Sequence, residues 1–153
     1  MAERVRIATF NLENLDDVPN SEPGITQRIA MIRPQLLRIQ ADILCLQEIN
    51  SQEEGGIRKL SALDNLLADT PYQLYHRAFT TMKNSPQPYN ERNLVTLSRF
   101  PILQASSLRH DPNLAPSYKK VMAIPMEQEA KPVEWERPIV VTHIDLGAKF
   151  YFP

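Results

Sequence analysis

The sequence predicts an α/β sandwich built on a mixed sheet. Three observations lead there. Two strand-like runs, residues 5–12 and 43–47, are each followed by a segment of helical periodicity, and from Pro71 onward the texture changes to four or more short strand-like runs. This β-α-β-α order followed by strands suits a sheet with parallel and antiparallel neighbours. The 153 residues suit one domain, and 42% hydrophobic against 23% charged residues gives that domain enough apolar surface for a core.

The elements follow in order. Residues 5–12 (VRIATFNL) are β-branched and aromatic, alternating Val5, Ile7 and Thr9 with Arg6, Ala8 and Phe10, and read as a strand buried on at least one face. Residues 13–24 collect Asn, Asp, Ser and two prolines and read as a loop. Ile25, Ile29, Ile32, Leu36 and Ile39 recur at helical spacing, so a helix is expected over 26–40 with Thr26 as its N-cap. Pro34 lies inside that pattern and should kink the helix or split it. The run ILCLQ at 43–47 is too short for a helix and reads as a central strand. A second helix is expected over 57–68, with Gly55-Gly56 marking its start. Strands are expected at 72–80, 93–98, 102–109, 121–126 and 139–146, and another begins at Phe150-Tyr151-Phe152. Arg99-Phe100-Pro101 reads as a tight hairpin connection.

Several function classes fall away on composition. Seventeen Lys and Arg against 18 Asp and Glu leave a net charge of −1, so there is no global basic field for nucleic acid, although a local patch remains open. The single cysteine, Cys45, excludes an internal disulfide and a Cys-rich zinc site, and within its apolar run it reads as an inert core thiol. Four glycines and no Gly-rich run before a helix exclude a P-loop. No run approaches the roughly 18 apolar residues of a membrane span, and the N-terminus lacks a signal-like apolar core. A cytoplasmic location is expected.

The chemistry gathers at strand ends. Asn11, Glu13 and Asn14 end the first strand; Glu48, followed by Asn50, ends the second. Open α/β sheets build their sites at such C-terminal edges. Two neighbouring strands ending in Asn-x-Glu and Gln-Glu would set carboxylates beside an amide, a hard-oxygen set that suits Mg²⁺. Taken singly, each residue is more simply read as a turn former or a solvated rim residue. His76 and His110 show no ligand spacing with each other or with Cys45.

Taken together, the segments RIATFNLENL (6–15) and ADILCLQEI (41–49), NLVTLSRFPI (93–102), and WERPI (135–139) followed by IDLG (144–147) resemble the endonuclease/exonuclease/phosphatase superfamily. Four motifs in family order cover nearly the whole chain. The resemblance implies a DNase I-like four-layer αββα sandwich, of which this chain supplies roughly the first half. It also implies a Mg²⁺-dependent hydrolase of phosphodiesters or phosphomonoesters, with Mn²⁺ as an alternative ion. Carried over by position, it makes Glu48 the direct metal ligand and Asn11 a hydrogen-bonding member of the catalytic network. Glu13 becomes a second acid near the metal, and Arg92 and Asn93 substrate-facing residues. The implied partner is a phosphate-ester substrate, nucleic acid among the candidates.

The family's later motifs, a histidine-bearing HLKS-like strand, a Gly-Asp-Phe-Asn turn and a terminal Ser-Asp-His, do not occur in this sequence. His143 is set aside as that histidine, because Arg137-Pro138 and Asp145-Leu146-Gly147 fix its segment as the strand before. With the water-activating Asp, the second Asn and the His missing, the isolated chain is expected to be inactive. The aromatic ending Phe150-Tyr151-Phe152-Pro153 reads as a domain over 1–153 cut on its C-terminal side, with self-association through an exposed sheet face. The alternative is a non-catalytic half-domain acting as an interaction module or pairing with a second chain.

Overall fold

A computed structural model describes residues 4–122, 124–125, 129–133 and 135–147. Strand β1 (Ile7–Leu15), helix α1 (Ile25–Ile39) and strand β2 (Ile43–Ile49) come first. The hairpin β3 (Gln52–Glu54) and β4 (Ile57–Lys59) leads to helix α2 (Ser61–Leu67). Strands β5 (His76–Phe79), β6 (Asn93–Ser98) and β7 (Ile102–Leu108) follow, then the two-residue strands β8 (Ser117–Tyr118) and β9 (Lys131–Pro132), and last β10 (Ile139–Ile144). The main sheet has the order β1-β2-β6-β5, parallel between β1 and β2 and antiparallel elsewhere, and β7 pairs with β10 in a second sheet. The architecture is mixed α/β, and the described residues supply a helical layer, a sheet and part of a second sheet.

The core lies between the main sheet and its helices. Leu44, Leu46, Val95 and Leu97 from the central strands meet Leu36 of α1 and Leu63, Leu66 and Leu67 of α2, all fully buried. Every second residue of a strand faces one side, so β2 and β6 each give that layer alternate apolar side chains. Arg33 joins the helices, donating from Nε to Leu66 O (3.1 Å) and from Nη2 to Asn65 O (2.6 Å). At the opposite end, Asp42 accepts from the Arg6 N–H through Oδ2 (2.7 Å) and pairs with Arg99 Nε through Oδ1 (2.8 Å). One carboxylate thereby fixes the starts of β1 and β2 and the end of β6. The second sheet covers the β5 and β6 side of the main sheet, tied by the Thr81 N–H donating to Ser107 Oγ (2.9 Å).

Several local expectations are corrected. Gly55 (φ 61°) and Gly56 (φ 80°) start no helix; both are left-handed and make the two-residue turn of the β3–β4 hairpin, the conformation such a turn requires. Ile57 therefore lies in a strand, and α2 begins only at Ser61, where Gln52 Oε1 accepts from the Ala62 N–H (3.0 Å). Helix α1 starts one residue before Thr26, with Gly24 as N-cap and the Gly24 N–H bonded to Gln27 Oε1 (3.1 Å). Pro34 neither ends nor splits α1. The first part of 72–80 is a 3₁₀ turn, Pro71–Leu74, that buries Tyr72, and the strand is confined to β5. Arg99-Phe100-Pro101 makes no hairpin: the Arg99 N–H is held by Asp42 O (2.9 Å), and the chain crosses from the main sheet into the second. Within 121–126, Val121 and Met122 form a turn, and the rest of that expected strand lies partly outside the described residues, as do Phe150-Tyr151-Phe152.

Asn93, expected to face substrate, is fully buried. Its Nδ2 donates to Ile49 O (2.9 Å) and Tyr89 O (2.7 Å), and its Oδ1 accepts from Thr80 Oγ1 (2.9 Å). It serves the sheet, because these bonds satisfy carbonyls where the β2–β6 ladder is interrupted. Two outcomes follow for denaturant unfolding. Asn93→Ala should destabilise the chain by about 3 kcal/mol, since it leaves buried partners unpaired. Pro34→Ala, at an exposed position inside a continuous helix, should stabilise it by about 1–3 kcal/mol. A neutral Asn93→Ala or a destabilising Pro34→Ala would contradict this packing.

Candidate metal and phosphate site

Two irregularities lie side by side where β1 and β2 end. From Asn11 to Leu15, β1 advances four residues while β2 advances two, from Gln47 to Ile49. From Leu46 to Ile49, β2 advances three residues while β6 advances two. The extra residues bulge out of the ladder, and three of them are left-handed: Glu13 (φ 49°), Asn14 (φ 53°) and Glu48 (φ 60°). Non-glycine residues in that conformation cost about 1–2 kcal/mol each, so the surroundings must hold them.

The hydrogen bonds do this. Arg28, on the first turns of α1, donates to three consecutive carbonyls of the β1 bulge: Nη2 to Leu12 O (2.5 Å) and Glu13 O (2.8 Å), and Nη1 to Asn14 O (3.0 Å). The Glu13 N–H donates to Asn11 Oδ1 (2.8 Å), which fixes the Asn11 amide. Asn50 closes the far side, its N–H on Leu15 O (2.9 Å), its Nδ2 on Asp16 Oδ2 (3.0 Å) and its Oδ1 accepting from the Arg92 N–H (2.8 Å). Arg92, itself left-handed (φ 51°), donates from Nε to Asn14 Oδ1 (3.0 Å) and pairs with Glu136.

The structure thus brings Asn11, Glu13 and Glu48 to the same end of two adjacent parallel strands, sets Arg92 on the rim and places Asn93 beneath it, inside the core. Glu48 and Glu13 diverge in one respect. A cleft of about 540 Å³ runs beside the β1 bulge, lined by Asn11, Glu13, Asn14 and Arg28 with Val18 and Met31. Glu48 does not line it; its carboxylate, about a quarter exposed, looks toward Arg137 with Oε1 at 3.9 Å from Nη2. Among the described residues no three His, Cys, Asp or Glu side chains converge on one point. Glu48 nevertheless fits a single hard-oxygen ligand. Its ion pair is long and partly exposed, so a cation that keeps most of its waters can reach it.

Cys45 sits beside this region on β2, half-buried rather than deep in the core, and burial pushes its thiol above the ordinary range despite a hydrogen bond with Thr96. It is protonated and unreactive at neutral pH. Arg28 and Arg137 are the residues sequence reasoning passed over. Arg28 could have been noticed: it is a cation three residues after Ile25 and four before Ile32, on the apolar stripe of α1.

Comparison with known proteins shows the family of the chain. A solved structure of an endonuclease/exonuclease/phosphatase family protein from Leptotrichia buccalis C-1013-b is similar to 69% of this chain at 18% identity, with a TM-score of 0.44. The chain spans 42% of the length of that protein. No curated protein matches. The model of the Endonuclease/Exonuclease/phosphatase family matches residues 8–125. That stretch is well over half of the 153 residues and holds both bulges, Glu48, Asn11 and Glu13, so the chain belongs to the endonuclease/exonuclease/phosphatase family.

Proposed function

We propose that this chain carries the metal-holding side of a phosphoesterase site, acting on a phosphodiester or phosphomonoester, with nucleic acid among the candidate substrates. The observation that carries the reading is the pair of adjacent bulges, which puts Glu48 beside the Asn11–Glu13 turn at the C-terminal edge of the sheet. Glu48 would hold Mg²⁺, or Mn²⁺ in its place, and Glu13 would supply a second acid to the surrounding water shell. Such an ion, when bound, neutralises phosphate charge and stabilises the developing oxyanion. Asn11 has its Oδ1 engaged by the Glu13 N–H, which turns its Nδ2 into the end that donates to a phosphate oxygen. Arg92 at the rim adds positive charge to orient an anionic substrate.

The water-activating Asp, second Asn and His of the family have no counterparts in this sequence, so turnover needs groups from outside these 153 residues. A second reading, a half-domain that pairs with another chain, is favoured by one observation. The outer face of the second sheet exposes Leu108, Ile139 and Val141 by 53%, 42% and 48%, and covering an aliphatic side chain contributes roughly 1.5–3 kcal/mol. Self-association through that face is part of the proposal. Among the described residues no helix is long and apolar enough to cross a membrane. A cytoplasmic location is part of the proposal.

Two measurements test these readings. In a Mn²⁺ titration followed by electron paramagnetic resonance, the chain should bind weakly and Glu48→Gln should lower the affinity at least tenfold, with phosphodiester and phosphomonoester hydrolysis at background in both. Binding indifferent to Glu48→Gln, or robust turnover by the chain alone, would contradict the assignment. In sedimentation velocity, Ile139→Thr with Val141→Thr should shift an associating boundary toward monomer. An unchanged distribution would exclude this face as the contact.

A further inference from the structure

The most heavily used cation at the site touches neither of the carboxylates assigned above. Arg28 reaches from α1 to Leu12, Glu13 and Asn14 and accepts none of the ordinary roles of a helix-surface arginine: it is half-buried, and its Nη atoms meet three successive backbone oxygens at 2.5–3.0 Å. Three carbonyl dipoles converging on one point repel one another. Such a cluster persists in a folded chain when a cation sits at its focus, and a planar guanidinium can serve several acceptors at once where an ammonium cannot hold the same fork.

The cluster is also the inner side of the Asn11–Asn14 turn. Glu13 and Asn14 are left-handed, so their carbonyls turn toward α1 while the Glu13 N–H turns back onto Asn11 Oδ1. Asn14 then faces two ways, its carbonyl to Arg28 and its side-chain Oδ1 to Arg92 Nε. Releasing the carbonyls would let Glu13 and Asn14 relax toward ordinary strand angles, and with them the hydrogen bond that orients Asn11 and the anchor that holds Arg92 over the site.

We infer that Arg28 is a positioning residue: by gathering the carbonyls of Leu12, Glu13 and Asn14 it holds the β1 bulge in the form that presents Asn11 and Glu13 beside Glu48. The inference rests on reading these residues as one site. It differs from a general structural tie, of which Arg33, joining α1 to α2 through the carbonyls of Asn65 and Leu66, is the example.

The experiment compares Arg28→Lys with Arg33→Lys in the full chain, by amide hydrogen exchange and by Mn²⁺ titration. In Arg28→Lys the Glu13 amide should exchange at least tenfold faster while Leu46 and Leu97 keep their protection, and Mn²⁺ affinity should fall at least threefold. Arg33→Lys should lower Tm and change neither. Unchanged Glu13 exchange in Arg28→Lys overturns the inference, as does faster exchange with unaltered Mn²⁺ affinity, which would leave Arg28 a purely structural tie. If the unsubstituted chain shows no Glu48-dependent Mn²⁺ binding, the metal reading fails on its own, and Glu13 exchange still decides whether Arg28 holds the bulge. Should Arg28→Lys not fold, guanidinium rotation in the unsubstituted chain decides: slow rotation at Arg28 relative to exposed Arg38 supports the inference, and equal rates overturn it.

Discussion

The site depends on two adjacent strands losing register at the same level. A regular β1–β2–β6 ladder would bury its polar groups in pairing and would point Glu48 and Asn11 to whichever face strand alternation dictated. Extra residues in β1 between Asn11 and Leu15, and in β2 between Leu46 and Ile49, open the ladder there. Backbone oxygens become available for Arg28 and Asn93, and side chains are re-aimed away from the alternation. Everything at that edge is a consequence of this opening.

The strain is spread over several residues and matched by several ties. Glu13, Asn14, Glu48 and Arg92 all take left-handed backbone angles. Glu13, Asn14 and Glu48 are each flanked by a bond from a regular element, Arg28 of α1 or Asn93 at the first position of β6, and Arg92 is held by Asn50 from the loop after β2. Rigid elements thus hold an irregular edge, the arrangement that lets a site keep geometry an isolated loop would lose. At the other end of the sheet Asp42 keeps the ladder in register through Arg6 and Arg99, so the opening is confined to the end that carries Asn11 and Glu48.

Much of this was legible in the sequence, and what was not has physical reasons. The strand over Asn93–Ser98 and the helix over α1 were readable because apolar periodicity alone defines them. Glu48 stood out because an acid closes a run as apolar as ILCLQ. The β3–β4 hairpin was missed because Ile57 and Leu60 fit a helical stripe that continues into α2, while the left-handed angles of Gly55 and Gly56 are a matter of pairing across the turn. The Arg99–Pro101 connection looked like a hairpin because local sequence cannot reveal that Asp42, far away in the chain, holds Arg99 and sends Ile102 into another sheet. Asn93 was read by its neighbours in a motif; its burial follows from carbonyls orphaned by a bulge in a different strand. The place of Arg28 on the apolar stripe of α1 was a legible signal, but its partners are backbone atoms that leave no mark in sequence.

The account's central claim is that the two bulges bring Asn11–Asn14 and Glu48 to one cation. Paramagnetic broadening by substoichiometric Mn²⁺ in amide-resolved NMR spectra of the chain tests it most directly, because it maps the ion onto the backbone without requiring turnover. The account predicts that the amides of residues 11–14 and 47–50 broaden first and that Glu48→Gln removes the effect at both segments together. Broadening centred on the exposed acids Glu53 and Glu54, or at 47–50 while 11–14 stay sharp, would contradict it.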